Sequence, residues 1–302
     1  MKQVVILSGK GGTGKTSLTA AFAHLAARGE PGVSAVLADA DVDAANLELV
    51  LDPVVVSRGE FRAGQVPEID PRSCSGCGIC AQVCRFEALA QRDGAYGADP
   101  IACEGCAACA FACSEGAITM RERVAGEFFE SVSQYGPLFH AALHPAQENS
   151  GKLVTLVKQR ARLHALEGNF ELLLVDGPPG IGCPVISAVS GADLALIVAE
   201  PSAAGAHDME RVLQTTDHFG VPAWVCINKS DVYPEGARRI EAACRARGVE
   251  QVGAIPYDDV VTEAMVNGVP VTEFQPGGKV TREIEHIWAR LRGHLGVGRG
   301  EN

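Results

Sequence analysis

Aromatic residues are scarce in this chain, making up 5% of its 302 positions. Surfaces that hold single-stranded nucleic acid by base stacking need more of them. Positive charge is also short: 26 Lys and Arg stand against 37 Asp and Glu, for a formal charge of -11. A basic face for non-specific nucleic-acid binding is therefore not expected. No apolar run reaches membrane-spanning length and no secretory leader is evident. Residues 2–8, KQVVILS, are too short and run straight into glycines. These absences predict a cytoplasmic protein with no nucleic-acid partner and no stable membrane association. What is present is 47% hydrophobic residues, enough for one large α/β domain or two domains with their own cores. Eleven cysteines stand out against that background. In a cytoplasmic chain they point to metal or redox chemistry rather than to disulfides.

Eight of the eleven form two equal runs. Cys74, Cys77, Cys80 and Cys84 have the spacing C-x2-C-x2-C-x3-C, and Cys103, Cys106, Cys109 and Cys113 repeat it 29 residues later. Three thiolates in one tight loop can wrap three corners of an iron–sulfur cubane, and the fourth corner needs a ligand from elsewhere. Zinc sites are the alternative, but they usually pair two short C-x2-C knuckles rather than two four-cysteine runs. Small residues fill the loops (Gly76, Gly78, Gly105, Ala107, Ala108), which lets backbone N–H groups approach the sulfurs. Over roughly residues 65–120 the segment resembles a bacterial-type two-cluster ferredoxin, although Arg85 and Ser114 stand where such runs commonly carry Pro. In such ferredoxins the fourth cysteine of each run ligates the other cluster. The resemblance thus implies one 4Fe–4S cluster on Cys74, Cys77, Cys80 and Cys113, and a second on Cys103, Cys106, Cys109 and Cys84.

The N-terminal stretch VVILSGKGGTGKTSLTAAFAHLA carries a second signal. An apolar, β-branched run from Val4 to Leu7 leads into glycines and then a helix-like segment. Gly9, Gly14, Lys15 and Thr16 satisfy the phosphate-loop pattern G-x4-G-K-[ST] in the strand–loop–helix context that it requires. The nucleotide-binding residues expected are Gly9, Lys10, Gly11, Gly12, Thr13, Gly14, Lys15, Thr16 and Ser17. Glycine-rich turns aim backbone N–H groups at phosphate oxygens, and the helix N-terminus adds a favourable dipole. Lys15 is expected on the β- and γ-phosphates and Thr16 on Mg2+.

The extra lysine, Lys10, in KGGTGKT resembles the MinD/ParA/Mrp and nitrogenase iron-protein branch of P-loop ATPases. There the early lysine reaches the partner subunit's nucleotide, so the resemblance implies an ATP-sandwich homodimer. Further landmarks match in order. In VLADADVDAANLEL (36–49), Asp39 and Asp41 match the switch I carboxylates. The resemblance puts Asp41 on the attacking water and Asp39 in the Mg2+ shell, with Asp43 competing and the roles open to exchange. In LLLVDGPPGIG (172–182), Asp176 matches the Walker B acid, a third Mg2+ group. ALIVAEPS (195–202) reads as the next strand. In WVCINKSD (224–231), Asn228 matches the adenine contact, and in AIPYDD (254–259) the backbone around Pro256 lies near the base in relatives.

Strands alternating with helices predict a mainly parallel, doubly wound α/β sheet with sites at the C-terminal strand ends. The expected organisation is a P-loop ATPase domain in two parts, 1–64 and 121–302, interrupted at 65–120 by a small α+β ferredoxin-like domain. PEIDPRS (67–73) reads as the lead-in linker and 121–143 as strands returning to the ATPase. The final helix, 280–295, sets Ile284, Ile287, Trp288, Leu291 and Leu295 on one face, to dock on the domain or on a membrane. A turn and helix cap are expected over 148–152. His140, His144 and His207 read as surface residues before ligands. Cys226 and Cys244 read as packing residues. Cys183 follows Asp176 by seven positions, the offset of a cluster ligand in the nitrogenase iron protein, so it is either structural or a labile metal site at a dimer interface.

The resemblance implies ATP or ADP, Mg2+ and two 4Fe–4S clusters as cofactors. It leaves three functions open. The ATPase can drive electron delivery to a partner metalloprotein, or assembly and transfer of a metal cluster to an acceptor. Alternatively it is a MinD/ParA-type regulatory or positioning ATPase with the clusters as redox sensors.

Overall fold

A computed structural model describes residues 1–92, 94–145, 147 and 150–298. The chain divides into two compact units. The first takes Met1–Arg58, Phe128–Ala142 and the chain from Ser150 onward, and the second takes Gly59–Glu127 with a short segment beginning at Leu143. Residues 65–120 all fall in the second unit, which also takes in residues on either side of them. The cap expected over 148–152 involves residues 148 and 149, which lie outside the described residues.

The first unit opens with β1 (Lys2–Ser8), α1 (Lys15–Arg28), β2 (Ala35–Asp39) and α2 (Leu47–Leu51). Strand β3 (Val54–Ile69) then carries the chain into the second unit, so the lead-in expected to be a linker at 67–73 is strand as far as Ile69. There follow α3 (Ile79–Gln82), the hairpin β4 (Leu89–Arg92) and β5 (Ala95–Ala98), and α4 (Ala108–Ala112). Strand β6 (Ile118–Ser133) returns to the first unit, and β7 (Gly136–Leu143) completes the strands expected over 121–143. The rest alternates: α5 (Ser150–Glu167), β8 (Leu172–Pro179), α6 (Cys183–Val189), β9 (Leu194–Ala199), α7 (Ala203–His218), β10 (Ala223–Asn228), α8 (Pro234–Arg247), β11 (Glu250–Ile255), α9 (Val260–Val266), α10 (Val271–Phe274) and α11 (Lys279–Leu295).

The main sheet has the order β11-β10-β9-β1-β8-β2-β7-β6-β3, and every pairing from β11 through β7 is parallel. Strand β1 is apolar on both faces because both are covered. Val4 and Ile6 pack with Phe22 of α1 and Ile287 and Trp288 of α11, while Val5 and Leu7, pointing the other way, are equally buried. Ile284, Ile287, Trp288, Leu291 and Leu295 of α11 are all buried in this core, so the apolar face of that helix is spent on the domain. Among the described residues, no helix is long and apolar enough to cross a membrane.

One histidine departs from the surface reading. His140 on β7 is buried, stacks on Phe129, and lies 2.9 Å from Ser131 Oγ through Nε2 and 3.1 Å from a Glu48 carboxylate oxygen through Nδ1. The strand pattern placed it inward, and polar partners made that tolerable. Burial holds its pKa below the usual 6.5, with Glu48 pulling partly back. As the pH falls below about 6.5 the unfolded chain takes up a proton that folded His140 refuses, so stability falls. His140→Gln is expected to flatten the loss of melting temperature between about pH 7.5 and about pH 5.5, read by thermal unfolding against the parent chain. His144 and His207 are exposed, as a surface reading requires.

Candidate functional site

At the C-terminal end of β1 the chain turns through Gly9–Gly14 and enters α1 at Lys15. Glycine is required where neighbours crowd. A Cβ on Gly14 (φ 94°) would lie 2.4 Å from Asn228 Nδ2, and one on Gly9 would lie 2.1 Å from Asp208 Cβ. The Lys15 ammonium is buried and donates to Ser8 Oγ at 3.0 Å, while Ser8 Oγ donates to Lys10 O at 2.6 Å. Thr16 Oγ1 donates to Asp176 Oδ2 at 2.6 Å, and Thr19 Oγ1 lies 3.1 Å from Asp176 Oδ1. Two of the three groups expected around Mg2+, Thr16 and Asp176, are therefore brought together. Burial pushes the Asp176 carboxyl up to about 6, against the pull of the two hydroxyls and Lys15.

Asp39 stands beside Asp176 in adjacent strands, fully buried, and its protonation is raised first by burial and then by Asp176. Its oxygens are occupied: Oδ1 accepts from the Asp41 N–H (3.0 Å), and Oδ2 from the N–H groups of Asn46 (3.1 Å) and Leu47 (3.0 Å). Asp39 thus braces the backbone of residues 41–47. Asp41 is half-buried, lifted by burial and drawn down by the Lys15 charge, whereas Asp43 is exposed. Asp41 lies in the field of Lys15.

Asn228, at the end of β10, donates through Nδ2 to Thr13 O at 2.7 Å. Beside it lies a small cavity lined by Gly14, Ile255, Val261, Val271 and Ile284, among others. Pro256 follows β11 but is not among the lining residues. Of the cavity's lining, Gly14, Ser17 and Asn228 were visible in the sequence; much of the apolar wall comes from three helices far along the chain, through Val261, Val271, Val280 and Ile284. Gly14→Ala is expected to displace Asn228 and weaken nucleotide binding by about tenfold or more, measured by titration calorimetry.

Two residues at this site escaped sequence reading. The Glu200 carboxylate, just past β9, contacts the ammonium of Lys10 and, at 2.7 Å, that of Lys229. Lys229, with φ 54°, also donates to Gly12 O at 3.1 Å. Their only signal was position: both sit at C-terminal strand ends.

In the second unit, the two cysteine runs fold alike. Gly78 and Ala107 take the left-handed conformation ahead of α3 and α4 (φ 78° and 63°), and Gly76 and Gly105 do so two residues earlier (φ 71° and 67°). Cys80 and Cys109 are buried, and Cys77 and Cys106 are exposed. The likeness extends beyond the cysteines. Asp70 Oδ1 accepts from Arg72 N and Asp99 Oδ1 from Ile101 N, two matching turns before the runs. Each half also hands its end to the other: Asp70 N donates to Ala117 O at 2.9 Å, and Asp99 N to Ala88 O at 2.7 Å. The closing cysteine of each run therefore lies with the opposite run. Cys74, Cys77, Cys80 and Cys113 line one small cavity; Cys84, Cys103, Cys106 and Cys109 line another. The remaining walls are largely apolar, including Ile69, Ile118 and Tyr96 in the first and Phe86, Leu89 and Met120 in the second. Gly105 N–H points at Cys103 Sγ at 3.4 Å, and burial raises the thiol pKa of Cys80 and of Cys109. Among the described residues, no group of three or more His, Cys, Asp or Glu side chains is arranged to hold a metal ion.

Cys226 and Cys244 are buried, and burial pushes the Cys226 thiol up to about 12. Cys183 is exposed at the first position of α6, with Gly151 packed against it. The far end of α6 is closed by Lys158 on α5, whose ammonium donates to the carbonyls of Ser187, Ala188 (3.1 Å) and Ser190 (2.6 Å).

A parallel sheet with a phosphate loop after its first strand and an acid at the end of the adjacent strand defines a P-loop nucleotide-binding protein. The model of the CobQ/CobB/MinD/ParA nucleotide binding domain matches residues 4–271, and the chain belongs to that family. It is similar to the uncharacterized protein MJ0578 of Methanocaldococcus jannaschii, 32% identical over 290 residues and 96% of each chain. It is also similar to an iron-sulfur cluster carrier protein of Pyrococcus furiosus, 26% identical over 166 residues, 49% of this chain and 56% of that one. Its fold matches septum site-determining protein MinD complexed with Mg-ADP from Pyrococcus horikoshii, with a TM-score of 0.60 at 18% identity over 99% of each chain.

Proposed function

We propose that this chain is an ATP-hydrolysing protein that closes as a homodimer and carries two 4Fe–4S clusters in an inserted ferredoxin-like domain. Its nucleotide state would be coupled to electron delivery to a partner metalloprotein. The observation that carries this reading is the partition of eight cysteines into two sets of four around two cavities. Zinc sites usually pair two short two-cysteine knuckles; here each set of four joins three cysteines of one tight loop to one from the other run. Bound there, the clusters would supply one-electron chemistry. The protein's part is to hold and shield them: Cys80 and Cys109 are buried, the walls are apolar, and the Gly105 N–H lies against a sulfur.

At the nucleotide site, Lys15 and the loop N–H groups would bind the β- and γ-phosphates, and Thr16 with Asp176 would hold Mg2+. Asp41, in the field of Lys15, would orient the attacking water, while Asp39 would keep residues 41–47 in position for it. The base would enter the apolar cavity beside Asn228. Lys10 would reach the partner subunit's nucleotide. Lys10→Ala is expected to abolish the ATP-dependent dimer seen by sedimentation while leaving nucleotide binding by the monomer.

Cluster carriage to an acceptor is the second reading, favoured by the relatives described as iron-sulfur cluster carriers. Anaerobic titration with an iron chelator separates the two. Electron delivery predicts that all the iron stays bound and that ATP with Mg2+ shifts the midpoint potential. A chelator-labile pool beside a surviving eight-cysteine pool favours carriage.

A further inference from the structure

Lys10 does not project freely from its loop. Its ammonium lies on Glu200 of the same chain, and the Glu200 carboxylate is shared with Lys229. The three members differ in how firmly they are held. Glu200 sits between the end of β9 and the start of α7, where Ser202 Oγ caps Gly205 N at 3.0 Å. A Cβ on Gly205 would lie 2.3 Å from Glu200 O, so the backbone there has no slack. Lys229 is fixed by a second bond, to Gly12 O. Lys10 has 39% of its side chain exposed and its ammonium has Glu200 as its ion partner. Burial raises the Glu200 pKa, but the two lysines overcome this and leave it lowered, so the group is ionised at neutral pH.

One carboxylate facing two ammonium groups can release one of them without being left unpaired. A partly buried charge stripped of its only partner is costly, and Lys229 removes that cost here. Lys10 is thus the member that can leave, and Glu200 is where it returns.

We propose that Glu200 is a cis dock for Lys10, a positioning residue that sets how readily two copies close over nucleotide. This rests on the sandwich-dimer reading above. Closure exchanges one Lys10–carboxylate contact for contact with a partner's triphosphate. A ligand shifts an equilibrium only by its differential affinity for the two states. The dock therefore opposes closure, and it opposes closure over a diphosphate more effectively, since ADP offers Lys10 less negative charge than ATP does.

The test is sedimentation velocity on the full-length, anaerobically purified protein across a range of protein concentrations, with Mg2+ and either ATP or ADP. Glu200→Gln is expected to lower the concentration for half-dimerisation in ATP by about tenfold, and to produce dimer in ADP at concentrations where the parent chain is monomeric. In a Lys10→Ala background, Glu200→Gln should not restore the dimer; restoration would show that Glu200 acts independently of Lys10 and overturn the dock. A Glu200→Gln midpoint equal to or above that of the parent overturns the dock. If Lys10→Ala itself dimerises like the parent, the sandwich reading has failed instead. A second measurement needs no variant at Glu200. In the nucleotide-free parent, Lys10 should be acylated by acetic anhydride several-fold more slowly than exposed Lys152, followed by mass spectrometry; equal rates overturn the dock.

Discussion

Anaerobically purified protein is expected to carry about eight irons per chain, four in each cubane. Cys113→Ser should remove the same four as Cys77→Ser. That pairing is the sharper part of the prediction, because it joins residues from different runs. Cys113 lines the cavity of Cys74, Cys77 and Cys80, not that of the run in which it stands. Cys84→Ser should in turn behave like Cys106→Ser. Electron paramagnetic resonance of the reduced variants reads the result directly, since each pair should leave one and the same residual signal. If Cys113→Ser left the signal left by Cys106→Ser, ligation would follow the runs and the crossed assignment would be lost. Four irons or fewer in the parent chain would count against two cubanes altogether.

Lys15→Ala is expected to weaken ATP binding on the order of 100-fold or more, to the point where turnover is lost. The size of the effect follows from burial. The Lys15 ammonium is enclosed at the loop, bonded to Ser8 Oγ, and its field bears on both Asp41 and Asp176. A positive charge in such a place interacts strongly with phosphate, because little water screens it. Its removal also leaves acidic groups facing the phosphates with no cation between them. Calorimetric titration with ATP and Mg2+ measures the loss, and Lys152→Ala on the exposed start of α5 is the control expected to bind normally. A Lys15→Ala chain that binds ATP within about threefold of the parent would remove the loop from the proposed chemistry.

Much of this was legible because it is local. The phosphate loop is one strand, one turn and one helix start, and Gly14 and Lys15 are read together. The 29-residue repeat is written in the cysteines themselves. What stayed hidden depends on contacts distant in sequence. Glu200 and Lys229 meet Lys10 across three strand ends, and nothing in ALIVAEPS or WVCINKSD marks them as partners. Asp39 carried the signal of a metal acid, yet its lone pairs go to backbone N–H groups up to eight residues on. His140 looked like a surface residue because Glu48 and Ser131, which make its burial tolerable, come from a helix and a different strand. The matching turns at Asp70 and Asp99 were visible as a repeated Asp-Pro, but their meaning lies in the exchanged bonds to Ala117 and Ala88.

On the two-cluster proposal, those exchanged bonds bear on how the protein would acquire iron. Each half of the cysteine unit takes its fourth cysteine, and a backbone bond at its first turn, from the other half. Neither cradle is complete until both halves have come together. Filling one cavity therefore organises most of what the other needs, and emptying one loosens both. Iron loading should be close to all-or-none, with half-filled chains scarce at every stage of a reconstitution. The population would divide into fully charged protein and protein whose insert has yet to take shape.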